Sequence, residues 1–183
     1  MSVNLRRKLL QLLAASPLLA QSTVFAKNSD RTSQTDQSIK LRWGHININV
    51  SNLDSSISFY EKLGFSVYIP SIPYIGLTSK PHSNSVDKGS STALGLPPET
   101  SGRACIMQLD NGYPKLDLTQ FNDMPPSKPL NNANLGLVRM CLASANLEAD
   151  YKKLTNLGVE FISPPMTAKD GMADIAVCID PDG

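Results

Sequence analysis

The sequence predicts an α+β protein built from two repeated strand–helix–strand units. Three observations carry this: an internal repeat at an offset of 94 residues, apolar alternation of period two ahead of the first helix, and a glycine closing each helix. Asn52-Leu53 maps onto Asn146-Leu147, and the same offset carries Gly64 onto Gly158 without a gap.

In the first copy, residues 45–50 alternate polar and apolar, as a half-buried strand does. Asn52 or Asp54 can cap the helix that follows, where Ile57, Tyr60 and Leu63 fall at helical spacing. Gly64 suits the left-handed position that reverses the chain into a strand over residues 65–69. Residues 71–101, rich in Pro, Gly and Ser, form an insertion of the length that is usually functional or disordered, placed where it could fold over a pocket. Within it Thr92-Ala93-Leu94 reads as a short helical turn before Gly95. Residues 103–109 and 115–121 then form a hairpin around Asp110-Asn111-Gly112.

The second copy opens with a strand over residues 138–142, and Asn146 caps its helix. Leu147, Tyr151, Leu154 and Leu157 form the expected buried stripe, and Gly158 ends it. Strands over 159–162 and 173–179 follow, up to Asp180-Pro181-Asp182-Gly183, so this unit lacks its fourth strand. The first unit spans 41–123 and the second 135–183. Stopping inside a turn leads us to expect truncation before a final strand rather than loss of a site, because the remaining sheet would expose an unpaired edge.

Composition bounds the function. A chain of 183 residues with 18% charged and 41% hydrophobic residues suits one globular domain or two small ones. A net charge of +1 without a basic block gives no footprint for nucleic acid. The cysteines, Cys105, Cys141 and Cys178, are too far apart for a CxxC redox pair or a four-cysteine zinc site. Each lies in an apolar run and reads as a small core residue.

Residues 1–26 read as an address. Arg6-Arg7-Lys8 precedes a short leucine-rich run, and Val24-Phe25-Ala26 offers a cleavage point, the order of a secretory signal. The arginine pair fits twin-arginine export, and the ordinary secretory route is its rival. Polar residues 27–40 link the signal to the domain. The expected location is periplasmic or secreted, with no membrane association after cleavage. Loss of Arg6, Arg7 and Lys8 and of no acidic residue turns the charge from +1 to −2.

The segments GHININVSNLDSSISFYEKLGF, YPKLDLTQF, NLGVEFISPP and DPDG, in this order and spacing, resemble the vicinal oxygen chelate superfamily over residues 41–183. Glyoxalases, extradiol dioxygenases and bleomycin resistance proteins belong to it. The resemblance implies a U-shaped, cupped mixed sheet with helices outside, and a cavity holding a divalent metal. His45 stands at the first-strand ligand position, and Asp117 at the fourth-strand position where the family usually has glutamate. Strand parity agrees: Ile46, Ile48, Leu116 and Leu118 face the helix, leaving His45, Asn47, Asn49, Asp117 and Thr119 toward the cavity. A neutral imidazole with a carboxylate suits Zn, Ni, Mn or Fe. A plain His45–Asp117 ion pair is the alternative.

The second-unit equivalent of His45 is Arg139, or Leu137 across a bulge, and neither is a normal metal ligand. Arg139 is expected on the cavity side, either anchoring an anionic substrate or pairing with Asp117. Three functions follow: a metal-assisted enzyme of lyase, isomerase or dioxygenase type acting on vicinal oxygens, a metal-free binding protein of the resistance type, or an interaction module. The missing second-unit histidine argues against the iron dioxygenase branch. The partner in the first two is a small, anionic molecule, and the architecture admits a homodimer.

Overall fold

A computed structural model describes residues 41–183 except Met124 and Pro126, so the signal and linker expectations for 1–40 lie outside the described residues. The first unit forms as expected. Strand β1 (His45–Asn49) leads into α1 (Leu53–Lys62), capped by Asn52, whose side chain accepts from the Ser55 amide at 2.9 Å. Gly64, at φ +96°, turns the chain into β2 (Phe65–Ile69).

The insertion is folded. It holds β3 (Ser71–Ile72) paired with β4 (Leu77–Thr78), a 3-10 turn over Pro73–Ile75, β5 (Asn84–Ser85) and α2 (Lys88–Leu94). The helical turn expected at residues 92–94 is thus the end of a longer helix, capped by the Asp87 carboxylate on the Gly89 and Ser90 amides. Strands β6 (Ser101–Leu109) and β7 (Lys115–Phe121) complete the sheet in the order β1-β7-β6-β2, with β1 parallel to β7 and the other pairs of this path antiparallel.

Each face of this sheet has its own apolar cluster. On the helix side Leu116, Leu118, Cys105 and Met107 pack on Leu53, Phe59 and Tyr60 of α1, with Ile46 and Ile48 half-buried against them. Full burial of one such leucine stabilises by about 1.5–3 kcal/mol. On the other face Ala104 and Ile106 pack under Ile72, Ile75, Leu77 and Val86 of the insertion. Gly102 of β6 lets the two longest strands approach closely: a Cβ there would overlap the Gln120 carbonyl of β7. Gln120 in turn accepts from the Leu53 amide at 2.8 Å, tying β7 to the first turn of α1.

The second unit departs from expectation. Its helix α3 (Leu147–Asn156) forms and is capped by Asn146 on the Ala149 amide at 3.1 Å. The strand expected over 138–142 is not formed, and Cys141 there is exposed rather than buried. The physical reason lies in the repeat: β1 finds its ladder in β7, and no segment among the described residues plays that part for 138–142. Without that sheet the α3 stripe is not buried: Leu147, Tyr151 and Leu154 are half-buried and Leu157 is exposed. The expected strands 159–162 and 173–179 shrink to a Phe161–Cys178 bridge beside the short pair β8 (Met166–Thr167) and β9 (Asp174–Ile175). Backbone hydrogen bonds from Ile162 to Val177 and from Ile179 to Glu160 flank the bridge. The unit docks through Val159, buried in the helix-side core, and through Tyr60, which donates to Asp180 at 3.0 Å. The fold is α+β with a mixed sheet.

Candidate functional site

The parallel register of β1 and β7 sets the site. His45 lies opposite Lys115, Asn47 opposite Asp117 and Asn49 opposite Thr119. With Leu116 and Leu118 in the helix-side core, period two turns Lys115, Asp117 and Thr119 to the other face. The expected parity is therefore observed, and it brings His45 and Asp117 together, Nε2 to Oδ2 at 3.6 Å.

Tyr74 of the insertion joins them. Its hydroxyl donates to Asp117 Oδ2 and lies 3.3 Å from His45 Nε2, while its ring stacks on the imidazole at 5.4 Å between centroids and 8° between planes. A phenol has one proton, so giving it to Asp117 leaves oxygen lone pairs toward His45. Partial burial, then the hydrogen bond to Asp117 and its charge, push the Tyr74 pKa well above the usual phenol range, which keeps the hydroxyl a donor. The Tyr74 backbone is fixed as well: its carbonyl accepts from Ser90 Oγ at 2.6 Å, Ile75 beside it is buried, and Gly76 closes the turn at φ +79°.

Asp117 is fully buried, and its second oxygen, Oδ1, has no hydrogen-bond partner. An orphaned buried carboxylate oxygen costs about 1–3 kcal/mol or more and needs a reason. Two atoms sharing one ion at bonds of ~2.0–2.2 Å lie within ~4.4 Å of each other, a reach that the 3.6 Å from His45 Nε2 to Asp117 Oδ2 meets, although the Tyr74 hydroxyl already holds Oδ2 and lies 3.3 Å from Nε2. No group of three or more His, Cys, Asp or Glu side chains that could hold a metal ion forms among the described residues.

The remaining residues divide. Asn47 donates to Thr119 Oγ1 at 2.9 Å, and Asn49 is exposed at the end of β1. Thr119 is fully buried, so it orients Asn47 rather than facing open space. The expectation for Arg139 is corrected: it lies in exposed coil, donates to Asn132 at 3.0 Å, and is not brought to His45 or Asp117. It borders a separate cavity of about 640 Å³ on the helix side, lined by Phe59, Leu63, Tyr151, Leu154 and Phe161. That cavity shares no residue with the His45–Tyr74–Asp117 cluster.

Sequence reasoning left Tyr74 without a role and missed Lys115. Lys115 is buried, donates to Gln108 at 2.8 Å, and sits 4.7 Å and 4.9 Å from the ring centres of Tyr68 and Tyr113. No carboxylate among the described residues pairs with it. Its alternation with Leu116 was a usable signal, because lysine is seldom buried without cause.

A family model described as the Glyoxalase/Bleomycin resistance protein/Dioxygenase superfamily matches residues 42–183. No curated protein sequence matches the chain. Among solved structures, a glyoxalase family protein from Bacillus cereus is similar at 19% identity and a TM-score of 0.57, over 74% of this chain and 84% of that one. A glyoxalase family protein from Enterococcus faecalis is similar at 23% identity and a TM-score of 0.51, over 76% of this chain and 89% of that one. A superfamily member from Sphaerobacter thermophilus DSM 20745 shows 21% identity and a TM-score of 0.51, over 78% of this chain and 92% of that one. At these identities the likeness is one of fold.

Proposed function

Because the chain belongs to the glyoxalase/bleomycin resistance protein/dioxygenase superfamily, we propose that it is a small-molecule enzyme using a divalent cation held by His45 and Asp117. The observation that carries this is the fully buried Asp117 with Oδ1 unpartnered, next to an imidazole nitrogen at 3.6 Å from Oδ2. A bound divalent cation supplies Lewis-acid polarisation of paired substrate oxygens. The side chains do the rest. Asn47, fixed by Thr119, presents an exposed amide beside the site for hydrogen bonding. Lys115 contributes positive potential on the same face, favouring an anionic substrate.

A metal-free binding protein is the second reading, favoured by one observation: the Tyr74 hydroxyl already occupies one Asp117 oxygen. Equilibrium dialysis against Zn, Ni, Mn and Fe(II) separates the two. The enzyme reading expects one ion per chain, lost in His45→Ala. Retention of the same stoichiometry in that variant, or no uptake by the wild type, contradicts it.

A further inference from the structure

The cavity of about 640 Å³ on the helix side has no part in the site above. Helix α3 carries an apolar stripe but meets no sheet, so Tyr151 and Leu154 border the same space as Phe59 and Leu63 at α1. The Tyr151 and Phe161 rings meet edge to face there, 4.9 Å between centroids. Met140 and Leu142, exposed in the coil ahead of α3, extend the apolar lining. The volume falls within the ~300–1,000 Å³ of small-molecule sites, and such a lining favours a ligand with an apolar body.

The charged groups at the cavity sort by sign. Its two carboxylates are already engaged: Asp150 accepts from Ser144 Oγ at 2.6 Å, and Asp180 accepts from the Tyr60 hydroxyl and the Asp182 amide, each at 3.0 Å. Three exposed cations, Lys62, Arg139 and Lys153, also border it, and none pairs with a carboxylate among the described residues. The Arg139 guanidinium gives one N–H to Asn132 and keeps the others for a ligand. The charge left unmet is positive. A second copy of the chain meets it poorly, because a two-fold contact sets the same cations against one another.

We propose that this cavity binds one single-chain amphiphile with an anionic head, of the fatty-acid kind. The apolar chain lies against Tyr151, Leu154 and Phe161, and the carboxylate is held at the rim by Arg139. Lys62 and Lys153 reinforce the sign. The site shares no residue with the His45–Tyr74–Asp117 cluster and stands whether or not that cluster takes a cation.

The test is calorimetry on the full chain with dodecanoate and with dodecyltrimethylammonium, both below their micelle concentrations. The two probes share one apolar chain and differ in the sign of the head. The expected result is one dodecanoate per chain, bound at least about tenfold more tightly than the cationic probe. Arg139→Glu should weaken dodecanoate by about tenfold or more and erase the preference. Leu154→Trp, which fills the cavity, should weaken both probes, and His45→Ala should change neither. Where Leu154→Trp loses its circular dichroism signature, Arg139→Glu, in exposed coil, decides by itself. No binding, equal binding of the two probes, or several molecules per chain overturns the proposal. Loss of binding in His45→Ala overturns it as well, by moving the ligand to the other face of the sheet. A sedimenting dimer that dodecanoate dissociates gives the cavity to a second copy and overturns it too.

Discussion

Asp117→Asn distinguishes a carboxylate kept for a ligand from one kept for stability. Asp117 is fully buried, with Oδ1 unpartnered. Its ionic neighbour His45 is 44% exposed at the side chain, so that pair is solvent-screened and worth about 0–1 kcal/mol. Against this stands the orphaned oxygen, at about 1–3 kcal/mol and more when charged. Asparagine keeps the shape and the Tyr74 acceptor, but it leaves its own amide N–H groups unpartnered where Oδ1 was and makes the Tyr74 hydrogen bond a neutral one. Relief of the buried charge and these losses offset to within about 1 kcal/mol in metal-free protein. At roughly 3 °C per kcal/mol for a domain of this size, its unfolding midpoint in EDTA should stay within about 3 °C of the wild type. With a cation at 100 times its Kd the wild type should gain about 2.7 kcal/mol and the variant nothing. Thermal and urea unfolding with and without Mn(II) measure both. A metal-free variant less stable than wild type by more than about 1 kcal/mol would refute the reasoning and make the His45–Asp117 contact a structural ion pair.

Gly102→Ala should destabilise by about 1–3 kcal/mol or more, because the added Cβ meets the Gln120 carbonyl and must push β6 from β7; a midpoint within 1 °C of wild type would show that the strands yield freely. The Arg103 guanidinium, through its hydrogen bonds, lowers the Asp54 pKa below the usual carboxylate range. A depressed folded pKa stabilises above the unfolded value near 4 and is lost as pH falls through the folded one. Since the Asp54 side chain is 70% exposed, Arg103→Ala should cost less than about 1 kcal/mol through this pair at pH 7, and the pair's contribution should shrink as acid protonates Asp54; a coupling energy between Asp54 and Arg103 that stays the same from neutral pH into strong acid contradicts this. We also propose export: material recovered outside the cytoplasm should begin at or near Lys27, with replacement of Arg6 and Arg7 by lysine blocking a twin-arginine route but not the ordinary one, and an intact Met1 there would end the idea.

The first unit was legible because its signals are local and mutually consistent. Asn52 caps, Gly64 reverses, and the alternation of 45–50 and of 115–121 fixes the face of every side chain once Leu116 and Leu118 are taken as core. That parity agreed with the pairing of His45 and Asp117 that the family resemblance implied. The strand over 138–142 was misread because a strand needs a partner, and partners are not encoded in the segment itself; Arg139 went astray with it. Helix α3 kept its cap and glycine, which are local, and lost its burial, which is not. Tyr74 could be placed within reach of the cavity but given no role, because a 3-10 turn in an insertion has no periodicity to point a side chain. Lys115 was passed over because β7 was read for Leu116 and Leu118 on one face and for Asp117 and Thr119 on the other, and not at its first residue.

The most direct test of the central claim is the anomalous scattering of crystals grown or soaked with Mn(II). The account predicts one anomalous peak per chain within bonding distance, ~2.0–2.2 Å, of His45 Nε2 and of the Asp117 carboxylate. Crystals without a peak between those atoms, or with the ion elsewhere such as the helix-side cavity beside Arg139, would contradict it.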